Sequence, residues 1–198
     1  MISYIDTKSI KKINAKKDSG VINSNYTPSE GEAFLAEFLE FENIRYIQEK
    51  PVVGLFNDSK QYRKADFYLP NYGVYMEFLG RWNNTSKDRD NYREKKKVFR
   101  ENKIPCVYIY PENLGIIEFS FERRLINVLR DHRKNKELLR YRLILLKKRS
   151  NDYLGHIFLG LILIVLFSES QWLVLIPLIW VAYTVYKIYR EWKRIKKM

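Results

Sequence analysis

Residues 63–80 read RKADFYLPNYGVYMEFLG, which indicates two β-strands around a turn. β-branched and aromatic residues lie on either side of Pro70-Asn71-Tyr72-Gly73, and Pro, Asn and Gly are turn formers. If the loop is symmetric about its centre, Asp66 lies directly opposite Glu77. Cross-strand partners on one face have Cβ atoms only about 5 Å apart. The stretch therefore predicts a hairpin that brings two carboxylates together.

Two carboxylates at this separation repel each other unless a cation lies between them. Hard divalent cations with oxygen ligands suit such a gap, Mg²⁺ above all when the substrate brings phosphate groups. The alternative is a solvated hairpin that carries two surface acids. Spacing alone leaves both interpretations open.

Asp66, followed eleven residues later by Glu77 in the setting DFYLP…YMEFLG, resembles the PD-(D/E)XK, or restriction-endonuclease-like, nucleases. The similarity is greatest to the variety whose second strand reads roughly EYWG or EHFG, and it covers residues 26–115. It implies an α/β fold with a mixed four-stranded sheet flanked by helices, and cleavage that depends on Mg²⁺ or Mn²⁺. It also implies that Asp66 and Glu77 bind the metal, with the Phe78 carbonyl as a further ligand.

One position departs from the family pattern. The residue two after the glutamate is the family's catalytic lysine, and in this chain it is Leu79. Either a lysine comes from elsewhere or the site is inactive. The helix predicted from Ser86 to Asn102 contains the candidate lysines. This arrangement resembles nuclease variants in which the catalytic lysine lies on the helix that follows the second acid.

Three consecutive lysines on the predicted helix compete for this role. Lys96 shares one face with Tyr92 and Phe99 at spacings i, i+4 and i+7. We therefore expect Lys96 to face the sheet and to position or activate the attacking water, and Lys95 and Lys97 to point elsewhere. A lysine run on a helix otherwise forms a solvated or phosphate-contacting face.

The first helix is predicted from its N-terminal signals. Thr27 is expected to cap it, Pro28 to take the first helical position and Glu30 to complete a capping box, with the helix running to about Asn43. A first strand is predicted at residues 44–53 and a buried strand at residues 104–110.

Glu32 lies on the apolar stripe of this first helix, with Leu35, Ala36 and Leu39. An acid on a core-facing stripe needs a partner or a cation, unless it lies at the margin and reaches water. The resemblance implies that Glu32 points into the site, because nucleases of this fold often carry an acid on the first helix. There it would hold a second metal ion or orient a water.

The composition predicts an anionic partner in a reducing compartment. The 198 residues carry a formal net charge of +13, which favours nucleic acid or an anionic membrane surface. Cys106 is the only cysteine, so no disulfide can form within the chain. No Cys/His cluster has zinc-ligand spacing, and the polar, lysine-rich N-terminus carries no signal for cleavage.

Two uncharged apolar runs predict a transmembrane helical hairpin, Tyr153–Phe167 and Gln171–Tyr186. The alternative is a buried helical hairpin in a soluble protein. Basic residues flank both runs on their outer sides, so both ends are expected on the cytoplasmic side of a multi-pass membrane protein. A basic amphipathic helix, predicted from Glu118 to about Leu146, precedes the first run and is expected to contact DNA phosphate, anionic lipid or both.

These signals divide the chain into five segments: a basic arm (1–25), a nuclease-like domain (26–122), a basic linker (123–150), the hairpin (151–189) and a basic tail (190–198). The function predicted is a membrane-anchored, Mg²⁺-dependent nuclease that cleaves nucleic acid, DNA rather than RNA. The alternative is an inactive chain of the same fold that tethers nucleic acid to the membrane. A third interpretation, a membrane-surface scaffold, explains the charge but not the three acids.

Overall fold

The computed structural model describes residues 28–170 and 172–198, and the predicted basic arm lies outside them. The chain divides into two compact units, the first ending at Val128 and the second running from Leu129 to Met198. The first unit carries the sheet and the second is helical.

The first unit is built on a four-stranded mixed sheet. In chain order its elements are α1 (Glu30–Phe41), β1 (Ile47–Val53), β2 (Tyr62–Leu69), β3 (Val74–Phe78), α2 (Ser86–Glu101), β4 (Cys106–Ile109), a 3-10 helix (Pro111–Ile116) and α3 (Ile117–Asp131), which crosses into the second unit. The strand order is β1-β2-β3-β4, antiparallel except for the parallel pair β3–β4. The prediction of an α/β chain with a mixed four-stranded sheet is confirmed.

The β2–β3 hairpin has the register that a symmetric loop predicts. Phe67 pairs with Met76, and Leu69 pairs with Val74. The turn closes through hydrogen bonds from the amides of Tyr72 and Gly73 to the Leu69 carbonyl, and Gly73 has a φ of 59°. Glycine adopts this left-handed conformation without steric cost, which explains its place in the turn.

Helix α1 begins later than the sequence predicts. Ser29 is the N-cap, and its hydroxyl accepts a hydrogen bond from the Glu32 amide. The Glu32 carboxylate in turn accepts one from the Ser29 amide, at 2.8 Å. The prediction that Glu30 completes the capping box is therefore wrong, and Thr27 lies outside the described residues. Ser29 and Glu32 have the same i, i+3 spacing as Thr27 and Glu30, so spacing could not separate them.

Two glycines make room for the ring of Phe78. A Cβ atom added to Gly31 in α1 would overlap that ring, and one added to Gly80 would lie 2.8 Å from Phe78 Cε1. Glycine inside a helix costs about 1 kcal/mol relative to alanine. The cost at Gly31 is offset by the close approach of α1 to the strand that carries Glu77.

The single helix predicted over residues 118–146 is two helices in the structure, so this prediction is wrong. Helix α3 ends at Asp131, and α4 (Asn135–Leu166) begins after a three-residue link. Arg133 in this link has a φ of 54°, and the Lys134 amide donates to the Leu129 carbonyl. A left-handed residue after a helix ends it and satisfies its last carbonyls.

The second unit is an antiparallel pair of helices, α4 and α5 (Leu175–Lys197). The rings of His156 and Trp180 lie 5.6 Å apart, and the Arg142 guanidinium donates to the Lys196 carbonyl. The predicted segment boundaries after residues 122, 150 and 189 fall inside α3, α4 and α5. Composition changes at those points, but the helices continue through them.

Much of the apolar surface of the second unit is exposed. Within the described ranges, α4 is the one helix with the length and composition to cross a membrane, and 11% of its apolar window is buried. Within residues 172–186, the described part of the second predicted run, the helix covers residues 175–186, about 18 Å at 1.5 Å per residue. A bilayer core is about 30 Å thick, so this helical part falls short of a span.

Candidate active site

Asp66 and Glu77 lie at the end of the paired segment of the hairpin. The β2–β3 pairing runs as far as Phe67 and Met76, and the two acids occupy the next positions. The Phe78 amide donates to Asp66 Oδ2 at 2.6 Å. Glu77 is 1% exposed and Asp66 is partly buried. The hairpin therefore places both carboxyl groups in one partly desolvated region.

Lys95 of α2 forms a direct hydrogen bond with one of these carboxyl groups, that of Glu77. Its Nζ atom donates to Glu77 Oε2 and to the Lys64 carbonyl, both at 2.6 Å. The side chains of Lys95 and Glu77 are 19% and 2% exposed. A buried ion pair with this geometry holds the ammonium group beside the candidate metal ligands.

This placement corrects the predicted orientation of the helix lysines. Lys95, not Lys96, reaches the carboxylates, and Lys97 lies 3.9 Å from Glu101 with its side chain mostly exposed. Both Lys95 and Lys96 are three or four residues from Tyr92 and from Phe99, so helical spacing could not separate them. The packing of α2 against β2 and β3 decides which of the two lysines reaches the carboxylates.

A neighbouring ion-pair network fixes that placement. Arg63 of β2 is 6% exposed, and its guanidinium donates to Asp58 at 2.6 Å and to Glu94 of α2 at 2.5 Å. The Lys95 bond to the Lys64 carbonyl joins the same two elements one residue further along each. The sequence signal that could have found Arg63 is its place in the inward-facing alternation of β2, two residues before Ala65.

The electrostatics of the site favour an added cation. Burial raises the pKa of Asp66 to about 6, against the lowering effects of Lys95 and of the Phe78 amide. Burial, and then the charge of Asp66, raise the pKa of Glu77 to about 8. Glu77 Oε1 is buried without a hydrogen-bond partner. A positive charge at this oxygen would satisfy it and lower both pKa values.

The carboxylates fit a metal ion that takes most of its ligands from water and substrate. Within residues 28–170 and 172–198, no group of three or more His, Cys, Asp or Glu side chains forms a metal cage. Mg²⁺ is commonly held through one or two carboxylates together with waters and substrate phosphates. The orphaned Glu77 Oε1 and the adjacent Asp66 match that donor set. The Phe78 carbonyl stays a predicted ligand.

Glu32 lies close enough for its charge to raise the pKa of Asp66. Its carboxylate also completes the capping box with Ser29. It therefore contributes negative charge to the site from the first turn of α1. Its role as a ligand of a second metal ion stays a prediction.

Lys96 occupies a different environment from Lys95. Its Nζ atom donates to the Tyr110 hydroxyl at 2.9 Å and lies 4.8 Å from the centroid of the Tyr108 ring. Trp82, in the loop after β3, lies 5.9 Å from the same ammonium group. Sequence spacing did not indicate that these rings would gather around one lysine.

Comparisons with protein-family models, with curated proteins and with solved structures found no match for this chain. The interpretation of the site therefore depends on its geometry and on the sequence pattern.

Proposed function

We propose that the first unit is a metal-dependent nuclease, and the observation that carries the proposal is the Lys95–Glu77 contact beside Asp66. The site combines two carboxyl groups with raised pKa values, a buried Glu77 oxygen without a hydrogen-bond partner, and a lysine 2.6 Å from Glu77. This set of groups suits phosphodiester hydrolysis. The lysine absent from position 79 is supplied by helix α2.

The element order supports the same proposal. The first unit runs α1-β1-β2-β3-α2-β4 with antiparallel β1, β2 and β3 and parallel β4. This is the arrangement that the resemblance to PD-(D/E)XK nucleases implies, with the two acids on β2 and β3 and the lysine moved to the next helix.

The residues divide the chemistry between them. Asp66 and Glu77 would hold Mg²⁺ or Mn²⁺, which when bound supplies positive charge at the phosphate and lowers the pKa of a water. Lys95 lowers the pKa of Glu77 against the effect of burial and presents its remaining N–H donor to the attacking water or the phosphate. As the water oxygen gives a proton to the solvent and bonds to phosphorus, the bond to the leaving oxygen breaks, and that oxygen takes a proton from the solvent.

A groove beside the site supports an anionic substrate. It is lined by Lys60, Gln61, Tyr62, Arg63, Lys64 and Lys95. Lys95 thus belongs both to this groove and to the carboxylate site. A phosphate backbone lying in the groove would pass the metal ligands.

The direct test is cleavage by the full chain in mild detergent. Labelled single-stranded and duplex DNA and RNA would be incubated with Mg²⁺ or Mn²⁺, with EDTA as the control. We expect metal-dependent cleavage that EDTA stops. If no substrate is cut while binding persists, the chain is an inactive nucleic-acid tether of the same fold.

We further propose that the second unit anchors the chain in a membrane. The full chain should stay with lipid after an alkaline carbonate wash, because α4 and α5 expose apolar side chains along residues 154–183. A chain truncated after Asp131 should be released into the supernatant. Release of the full chain by carbonate would refute the anchor.

Nucleic-acid binding should depend steeply on salt. If a single strand makes three phosphate contacts with the basic groove, affinity should fall roughly twentyfold between about 50 and 200 mM salt. The measurement is fluorescence anisotropy of a labelled oligonucleotide in EDTA. An affinity that barely changes would assign the basic residues to the membrane instead.

A further inference from the structure

A cluster of aromatic rings and cations lies beside the candidate metal ligands. This ring–cation cluster consists of Trp82, Lys96, Tyr108, Tyr110 and Arg124. The Lys96 ammonium lies 5.5 Å from the centroid of the Tyr110 ring, and the Arg124 guanidinium lies 5.2 Å from the same centroid. Two positive charges therefore flank one ring.

The cluster is one strand away from the carboxylates. Glu77 and Tyr108 are register partners in the parallel pair β3–β4, so their side chains share one face of the sheet. Neighbouring strands lie about 4.8 Å apart. The consecutive residues Lys95 and Lys96 of α2 reach Glu77 and the Tyr108 ring respectively. A strand bound at the carboxylates would bring its next nucleotide to the cluster.

The cations of the cluster are not neutralised by acids. Lys96 bonds to the Tyr110 hydroxyl and Arg124 to the Tyr108 carbonyl, and in the described part of the chain no ion pair joins either cation to a carboxylate. Glu112 is near Arg124 without forming such a pair. The excess positive charge attracts an anion.

Trp82 lies at the edge of the ring–cation cluster, and neighbouring aromatic rings hold its indole ring in place. Its ring is partly exposed, contacts the Tyr110 ring edge-on at 5.2 Å and lies 6.4 Å from the Tyr92 ring. Arg93 lies 5.9 Å from its centroid. A ring held by two neighbours loses little entropy when a base stacks on it, and bases of every kind stack on such rings.

We propose that the ring–cation cluster binds an unpaired nucleotide next to the scissile phosphate, with the base stacked on Trp82 and the phosphate held by Lys96 and Arg124. The substrate is then single-stranded nucleic acid, because a base in a duplex is already stacked and paired. The position of this nucleotide beside a phosphate that is cleaved rests on the proposed nuclease function, whereas the binding of the nucleotide does not.

The first test measures binding where no cleavage occurs. Full chain in mild detergent and EDTA would be titrated against a fluorescein-labelled single-stranded 12-mer and against its duplex, with anisotropy as the readout. Trp82→Ala should weaken single-strand binding about tenfold or more, while Trp82→Phe keeps the stacking face and stays within about threefold. Duplex affinity should change much less.

A matched pair of lysine variants tests the charge. Lys96→Gln and Lys97→Gln make the same charge change on adjacent residues of α2, but Lys97 is mostly exposed and lies near Glu101. Lys96→Gln should weaken single-strand binding several-fold more than Lys97→Gln does. This pair keeps the proposal testable if Trp82→Ala does not fold.

The outcomes separate the two proposals. Equal effects of Lys96→Gln and Lys97→Gln, or equal losses for single strand and duplex, would overturn the nucleotide subsite. Selective binding through Trp82 and Lys96 without any metal-dependent cleavage would uphold the subsite and remove the nuclease function. Metal-dependent cleavage by the unmodified chain, together with unchanged single-strand affinity in Trp82→Ala, would uphold the nuclease function and overturn the nucleotide subsite.

Discussion

Glu77→Gln should abolish metal-dependent cleavage while making the folded first unit more stable in metal-free buffer near pH 7. A metal ion contributes several kcal/mol to the transition state of phosphodiester hydrolysis. Loss of one of its two carboxylate ligands should therefore lower the cleavage rate on the order of 10³-fold. The measurement is single-turnover cleavage with saturating Mg²⁺.

The stability change follows from the pKa of Glu77. Its pKa is about 8 in the folded protein against 4.5 for an unperturbed glutamate. The folded state thus binds the proton more tightly, and stability falls as the pH rises from about 4.5 to about 8. Glutamine imitates the protonated form. At pH 7 the variant should gain on the order of 3 kcal/mol, and near pH 4 it should gain almost nothing.

Urea unfolding of a chain truncated after Asp131, in EDTA at both pH values, measures this difference. Glu101→Gln, a change at a more exposed acid of the same unit, is the control and should shift stability by no more than about 0.5 kcal/mol. Added Mg²⁺ should stabilise the unmodified chain and not Glu77→Gln. A loss of stability in Glu77→Gln at pH 7 would make Glu77 a structural partner of Lys95 and not a metal ligand.

Lys95→Gln should lower the cleavage rate about 10²- to 10⁴-fold, the range that positioned proton-transfer groups supply. Mg²⁺ binding should persist or strengthen, because the substitution removes an ammonium group that competes with Mg²⁺ for Glu77 Oε2. The distinguishing measurement is the Mg²⁺ dependence of single-turnover cleavage at saturating substrate. The rate should fall while the half-saturating Mg²⁺ concentration stays or decreases.

Two neighbouring lysines serve as controls for this variant. Lys96→Gln should raise the substrate concentration needed for half-maximal rate and leave the saturated rate close to that of the unmodified chain. Lys97→Gln should change neither quantity. If Lys96→Gln abolishes cleavage and Lys95→Gln does not, the buried Lys95–Glu77 pair is structural and the catalytic lysine is Lys96.

The sequence predicts the hairpin well because local and cross-strand signals agree there. The Pro70–Gly73 turn and the alternation on both sides determine the register, so the neighbourhood of Asp66 and Glu77 follows from spacing. The choice between Lys95 and Lys96 does not follow, because both lie within one helical turn of the same two aromatic residues. That choice depends on the Arg63–Glu94 contact between β2 and α2.

Other failures have the same origin in competing local signals. Two overlapping capping patterns begin at Thr27 and Ser29, and the structure uses the second. The link at residues 132–134 contains neither Gly nor Pro, so nothing in its composition indicates the left-handed Arg133 that ends α3. The second apolar run is uncharged throughout, but its helix begins only at Leu175.

The contact between Gly31 and the Phe78 ring links two positions whose side chains have no direct part in the chemistry. A methyl group at position 31 would push the ring, and with it the backbone amide that holds Asp66. In a library that varies both positions, alanine or a larger residue at 31 should survive selection for cleavage only with a smaller side chain at 78. Co-variation of these two positions would then report the spacing between α1 and the metal ligands.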